Sequence, residues 1–325
     1  MATIKDIAEK SGLAIGTVSR IMNNRGYISD KSRKKVNEAI KELDYQPNEM
    51  ARGLLRKRSN LVGIIVPILQ HPYFSKLVSL LQEQAHQEGY QTLVMISNEF
   101  ADIEEEQIQQ CRKNRVAAII LCSGGVSLSR ITSNDIPVIS IERTLDGSTV
   151  SIVCDNYAGG AMAAHHLIER ECRELMILNG DGNVPMPADD RTKGFMDVAT
   201  QEGISCHNIR LGVSQFYSGA YQQTIREALV AYPTTDGIFT SGDLPALQTI
   251  DTARLMGRNI PEDLKVIGFD DTAICDWITP TITTIQQPLK EMATNTFYCL
   301  RCVTEGNVAP KYIKLPVKLI QRGST

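Results

Sequence analysis

Over the first forty-five residues, apolar positions recur at helical spacing. Ile4, Ile7 and Ala8 share one face of a helix predicted over residues 3–12. Thr3 stands where it can cap that helix, Asp6 lies in its first turn, and Gly12 ends it. A second short helix, over residues 15–23, turns Val18, Ile21 and Met22 inward. A third, over 30–43 behind a Ser29 or Asp30 cap, does the same with Val36, Ala39, Ile40 and Leu43. Two short helices joined by a tight turn containing glycine are the mark of a helix-turn-helix, whose second helix enters the major groove of DNA. From Leu61 onward the period changes. Strand-like apolar runs are predicted at 61–66, 92–96, 117–122, 137–141, 175–178, 237–240 and 266–269. Helical stretches at 74–88, 103–113, 159–170, 219–231 and 245–257 lie between most of them. That alternation predicts parallel sheets covered on both faces, and the length of the region suits two similar lobes better than one sheet. The expected fold is an all-α helix-turn-helix headpiece followed by a two-lobed α/β body.

Charge sharpens this division. Residues 1–60 carry thirteen Lys and Arg against seven Asp and Glu, a net of +6, which leaves −9 on the rest of a chain whose total is −3. A small basic module on a large acidic one is the layout expected when one end meets phosphate. The longest apolar run, 61–69, is far short of a membrane helix. The first residues lack the apolar core of a secretory signal, so a cytoplasmic location is expected. The eight cysteines are scattered, mostly in apolar runs, and are expected to be reduced thiols; Cys299-Leu300-Arg301-Cys302 is a lone CxxC without a second ligand pair.

Within the second helix, Arg20 is the natural base reader, because a guanidinium can bond guanine O6 and N7 together. Thr17, Ser19 and Asn23 are short hydrogen-bonding groups suited to phosphates. The basic outer face of the third helix (Lys31, Arg33, Lys34, Lys35, Lys41) reads as a solvated surface that adds long-range attraction. Residues 48–58, with Gly53 inside, are too short for a stable isolated helix. They read as a linker that folds on DNA, with Leu54 as an apolar wedge in the minor groove.

Thr3-Ile4-Lys5-Asp6-Ile7-Ala8, Gly12-Leu13, Thr17-Val18-Ser19-Arg20, Asn23-Asn24 and Ala51-Arg52-Gly53-Leu54 resemble the LacI/GalR family of bacterial repressors, and the similarity runs to the C-terminus. Asn24-Arg25-Gly26-Tyr27-Ile28-Ser29 and Asp155-Asn156-Tyr157-Ala158-Gly159-Gly160 are similar to segments of its sucrose-operon members. The resemblance implies a periplasmic-binding-protein-like body whose chain crosses three times between lobes. It assigns 1–46 to the headpiece, 47–60 to a hinge, 61–157 with 289–316 to the first lobe and 158–288 with 317–325 to the second. It also adds Ile15, Gly16, Ser29, Tyr45, Asn48 and Ala51 to the expected DNA contacts. Three positions depart from the family pattern. Ala14 replaces a usual Ser or Thr and removes a cap worth ~1 kcal/mol. Ile15 and Gly16 carry no hydrogen-bonding side chain at base-reading positions, although Ile15 can press on a thymine methyl. Readout is therefore expected to lean on Arg20, apolar contact and DNA bending.

The same resemblance implies a small carbohydrate effector between the lobes. It points to Tyr73 and Phe74 after the first strand, Cys122 and Ser123 after the third, and Glu142 after the fourth. Arg191 in Arg191-Thr192-Lys193-Gly194-Phe195, Phe216, Asp270 and Gln287 complete the set. Each has a plainer alternative: Tyr73 and Phe74 as core, Arg191 and Asp270 as a structural ion pair. Glu142 replaces a more frequent Asp, and Gly242 stands where some members have Asn, so the sugar is left open. One Arg beside two carboxylates suits a neutral polyol better than a phosphorylated effector.

Catalysis has little support. No dinucleotide fingerprint, phosphate loop or GxSxG occurs. His165 and His166, adjacent on a helix, point about 100° apart and are expected on its surface. Glu104-Glu105-Glu106 suits a first helical turn. No catalytic residue, metal or cofactor is expected. The leading expectation is a homodimeric repressor on a pseudo-palindromic operator, bound to nucleoid DNA when active. Two alternatives stay open: a global catabolite regulator answering a phosphorylated carrier protein, and a sugar-binding protein or sugar-modifying enzyme with a vestigial headpiece.

Overall fold

The computed structural model describes residues 2–22, 28–45, 59–98, 100–123, 136–144, 150–181 and 185–325. It divides into two compact units, residues 1–59 and 60–325.

In the first unit, α1 (Ile4–Ser11) starts with a reciprocal cap. Thr3 Oγ1 accepts from the Asp6 N–H at 3.4 Å, and Asp6 Oδ2 accepts from the Thr3 N–H at 2.7 Å. Gly12, at φ 68°, ends the helix in the left-handed conformation that favours glycine. The next helix, α2 (Ile15–Met22), begins as the sequence implies, without a side-chain cap from Ala14. The Ala14 carbonyl takes the N–H groups of Thr17 and Val18 at 2.8 and 3.0 Å. Ser29 caps α3 (Asp30–Glu42) by accepting from the Ser32 N–H at 3.3 Å. Ile7, Ala8, Val18, Ile21, Val36 and Ala39 form the core, with Tyr45 packed against it.

The second unit holds two six-stranded sheets. The first contains β1 (Leu61–Val66), β2 (Gln91–Ile96), β3 (Ala118–Leu121), β4 (Val138–Ile141), β5 (Val150–Cys154) and β11 (Tyr312–Leu315), in the order β11-β5-β4-β3-β1-β2, all parallel. The second contains β6 (Glu174–Asp181), β7 (Ser205–Gly212), β8 (Gly237–Thr240), β9 (Lys265–Asp270), β10 (Thr283–Gln286) and β12 (Lys318–Ile320). Its order is β12-β10-β9-β8-β6-β7, parallel except for β12. These sheets define a first and a second lobe, and the chain passes between them after β5, after β10 and between β11 and β12. The connecting helices are α4 (Pro72–Gln87), α5 (Ala101–Lys113), α6 (Asn156–Glu169), α7 (Asp189–Gln201), α8 (Val213–Ser218), α9 (Gln222–Ala231), α10 (Asp243–Leu255) and α11 (Leu289–Glu305). One core cluster runs through both lobes, from Val62 and Ile120 to Phe195, Phe239 and Phe269.

The differences from the sequence reading have physical reasons. The helix expected over 219–231 starts only at Gln222, because Gly219 turns left-handed at φ 66° and ends α8, a separate short helix that the sequence pattern did not predict. β7 is largely polar, and β11 and β12 are short with exposed positions, so none carries a buried strand's apolar run. His166 is not a surface residue. It is buried, with Nε2 2.9 Å from Thr325 Oγ1, because the C-terminus returns beneath α6. Nor does Glu104 serve only the helix dipole, for it is buried against Arg143 Nη1 at 3.0 Å.

Two glycines set the α6–α7 contact on which the cleft depends. A Cβ on Gly160 would stand 1.9 Å from the Arg191 carbonyl oxygen, and one on Gly194 would stand 2.1 Å from that of Tyr157. Both obstacles are backbone and cannot swing aside. Gly194→Ala is expected to destabilise the body by about 3 kcal/mol in urea unfolding, at the upper end of overpacking costs. Gly180→Ala, with nothing within 4 Å of the added carbon, stays within about 0.5 kcal/mol of wild type.

Candidate functional site

Strand C-termini from both sheets converge on one side chain. Arg191, near the start of α7, is only 6 % exposed. Its Nε donates to Asn156 Oδ1 at 2.7 Å and its Nη1 to the Ser241 carbonyl at 2.8 Å. The guanidinium carbon lies 3.6 Å from the centroid of the Phe269 ring, a cation–π contact. Glu142 Oε2 stands 3.6 Å from Nη2, and Asp270 Oδ1 stands 4.0 Å from Nη1. Both carboxylates are held by others as well. Glu142 accepts from the Cys154 N–H at 2.6 Å and from Asn156 Nδ2 at 2.9 Å. Asp270 Oδ1 accepts from Gln287 Nε2 at 2.6 Å. The other Asp270 oxygen, Oδ2, has no donor among the described residues, and bare Gly242 leaves the space beside it open: a Cβ there would lie 3.6 Å away.

Behind Asp270 lies a third buried acid. Asp243 accepts from the Thr272 N–H at 2.7 Å, the Thr272 hydroxyl at 2.8 Å and the Thr284 hydroxyl at 2.6 Å. Burial nevertheless pushes its carboxyl up to about 6. Burial also holds Asp270 well above the usual carboxylate range, with Arg191 opposing and Asp243 reinforcing the shift.

Polar atoms without partners mark the same place. The Tyr73 and Ser123 hydroxyls and Gln287 Oε1 are buried with no hydrogen-bond partner among the described residues. Each such group costs about 1–3 kcal/mol, a cost that a polar partner reaching it would remove. Burial, then the charges of Glu142 and Asp270, raise the Tyr73 phenol well above its ordinary value. Phe216, on α8, stacks on His71 at 5.4 Å and meets Phe74 edge-on at 6.2 Å, while Phe74 meets Tyr73 at 4.9 Å. Burial lowers His71 to about 4, which leaves its ring neutral, and Nδ1 accepts from the Tyr73 N–H at 3.3 Å. Glu142 and Asp270 have φ of 53° and 112°, strained values of the kind that collect at binding sites.

The structure therefore brings together Tyr73, Phe74, Glu142, Arg191, Phe216, Asp270 and Gln287. Cys122, whose thiol burial pushes up to about 12, directly follows the third strand beside Tyr73. Ser123 follows it, with its carbonyl accepting from Arg143 Nη1 at 2.7 Å. The sequence reading missed Asn156, Ser241, Asp243 and Phe269. Position alone could have found Asn156 and Asp243, since each follows a buried strand closely, as Glu142 does. In the headpiece, Ile15 (45 % exposed), Gly16 and Arg20 are open on α2, and Thr17 and Ser19 are half-buried. Ser29 is used as a helix cap. Asn23, Asn48, Ala51 and Leu54 lie outside the described residues.

A basic helix-turn-helix unit on a two-sheet α/β body with a polar cleft defines the class of binding-protein folds fitted with a DNA-reading headpiece. Comparison with known proteins narrows the class. Residues 3–48 match the family model for bacterial regulatory proteins of the lacI family, and 164–325 match a periplasmic binding protein-like domain. The ribose operon repressor of Bacillus subtilis (strain 168) is 32% identical over 326 residues, covering 100% of this chain and 99% of that protein. The sucrose operon repressor of Streptococcus mutans is 31% identical, covering 98% of each. The Lac repressor dimer bound to operator and the anti-inducer ONPF has the same fold, with a TM-score of 0.86 at 24% identity over 100% of this chain and 99% of that one. The protein belongs to the LacI family of bacterial regulatory proteins.

The acid behind the cleft carries a pH signature. Because Asp243 titrates near 6 when folded, against an ordinary 3.8, the folded protein binds more protons than the unfolded chain between those values. Its contribution to stability is full below that window and is lost as pH rises through it. The melting temperature of wild type minus that of Asp243→Asn is expected to fall between about pH 4 and about pH 7 and then level off. A difference that stays flat across this range would contradict the assignment.

Proposed function

We propose that the protein is a repressor of carbohydrate-utilisation genes whose affinity for operator DNA is switched by a neutral sugar in the interlobe cleft. The observation that carries this reading is the meeting of Arg191, Glu142 and Asp270 with three unpartnered polar atoms beside an aromatic wall. Adjacent sugar hydroxyls both donate and accept. They can donate to Asp270 Oδ2 and Gln287 Oε1, accept from Arg191, and do either with Tyr73 and Ser123. Phe216 and Phe74 suit the C–H face of a sugar ring. Two carboxylates beside one guanidinium disfavour a phosphate group, which needs surplus positive charge. The names of the relatives make ribose and sucrose the first sugars to try.

As a DNA reader the protein works as a homodimer on a pseudo-palindromic operator, two recognition helices facing half-sites about one turn apart. It resides in the cytoplasm, on nucleoid DNA when repressing, and acts by binding rather than catalysis. The effector favours one lobe angle, and that angle changes how the hinges at 47–60 meet DNA, a population shift.

Arg191→Lys, which keeps the charge that Glu142 and Asp270 face but loses the planar fork of donors, is expected to keep operator binding but weaken the response to effector about 10- to 100-fold, the loss of a charge-assisted bond. The check is fluorescence anisotropy of protein–operator complexes titrated with ribose, sucrose and their phosphates. If no sugar shifts the wild-type complex, the effector reading fails. Arg20→Ala should cost about 1–3 kcal/mol of specific affinity and relax sequence preference at the base it contacts. Leu54→Ala should weaken specific DNA far more than random DNA in the same assay, and equal losses would argue against a minor-groove wedge.

A further inference from the structure

Besides the ligand cleft, side chains of each lobe reach backbone carbonyls of the other. Lys76, on α4 of the first lobe, donates from Nζ to the carbonyl of Asp271 at 2.6 Å. Tyr217, on α8 of the second lobe, donates from its hydroxyl to the carbonyl of Asn98 at 2.7 Å. The two bonds share a design. Each receiving residue follows a strand, β9 or β2, and each has a left-handed backbone, φ 54° at Asp271 and 51° at Asn98. Such a conformation is unfavourable for side-chain-bearing residues and persists where the surroundings hold it.

Their spacing gives them leverage. Tyr217 and Asn98 follow edge strands, β7 of one sheet and β2 of the other, whereas Asp271 follows β9, three strands in from β7. At one strand spacing each, those two strand ends of the second sheet stand about 14 Å apart, while in the first sheet Lys76 and Asn98 follow the neighbouring strands β1 and β2. Two bonds at separate points resist rotation of one lobe against the other, where one alone would act as a pivot. Each also touches the ligand cleft through the chain. Asp271 directly follows Asp270, and Tyr217 directly follows Phe216, whose ring is stacked between the lobes on His71. Asp271 is itself pinned, its carboxylate accepting from Arg322 Nη2 at 2.8 Å and from Gln286 Nε2 at 2.7 Å. A lobe rotation therefore pulls on a braced residue at one side and on the ring-bearing turn at the other.

We propose that Lys76 and Tyr217 are positioning residues, a pair of interlobe latches that hold the cleft at the angle seen here. The consequence for DNA binding rests on the function proposed above; the latches themselves do not.

Hydrogen–deuterium exchange of the full-length protein without any sugar tests this, so its outcome is independent of whether a sugar is the effector. Tyr217→Phe keeps the ring and its contact with Phe216, and Lys76→Met keeps the aliphatic stem. Each is expected to speed exchange about two- to tenfold, the equilibrium effect of one net hydrogen bond, in both the 95–98 and 213–218 segments and the 270–276 segment. Lys76→Arg, which restores a donor, should return exchange towards wild type. Arg301→Gln, which breaks an exposed pair with Glu88 within the first lobe, should leave all three segments unchanged. Faster exchange confined to the side of the substitution, or none, would overturn the proposal, because loss of a merely local contact does not loosen the far side.

Discussion

The body of this protein is organised around a buried positive charge. A guanidinium removed from water costs several kcal/mol unless its donors are satisfied and its charge is balanced. Arg191 meets that demand with an amide, a carbonyl, an aromatic face and two carboxylates, and no single lobe supplies them all. Asn156 is the pivot: its Oδ1 faces the guanidinium and its Nδ2 faces Glu142, so one amide orders cation and anion together. Its place follows from the crossover, since it begins α6 directly after the last inner strand of the first sheet. The close approach of Gly160 and Gly194 sets the depth at which Arg191 sits.

The arrangement is balanced without being complete. Two carboxylates face one guanidinium and a third lies behind Asp270, and burial keeps Asp243 and Asp270 above their ordinary range. Tyr73, Ser123 and Gln287 each keep a buried polar atom without a partner among the described residues. A core built for stability alone would pair or remove such atoms, since each lowers stability without return. On the function proposed above, a ligand rich in hydroxyls would satisfy them where both lobes are near, and the same contacts would join occupancy to lobe angle.

Much of this was legible in the chain. The helix-turn-helix followed from Thr3, Gly12 and the spacing of Ile7, Val18 and Val36, because capping and amphipathic packing act within a few residues. The buried inner strands announced themselves as short apolar runs. β7, β11 and β12 did not, because edge strands bury one face at most and tolerate polar residues such as His207, Asn208 and Arg210. His166 and Glu104 were misjudged for a related reason. Their burial depends on what packs over them, the returning C-terminus in one case and Arg143 in the other.

The sequence by itself determined the headpiece and the strand ends at which polar and aromatic side chains collect, and resemblance pointed to most of the side chains that the fold brings together there. Local propensities and periodic burial depend on near neighbours, so they can be read without a fold. Only the tertiary structure decided that Asn156 orders Arg191 and Glu142, that Asp243 stands behind Asp270, and that Lys76 and Tyr217 reach carbonyls in the opposite lobe. Those partners are separated by 14 to 195 residues along the chain, and only the closing of two sheets around one cation brings them together.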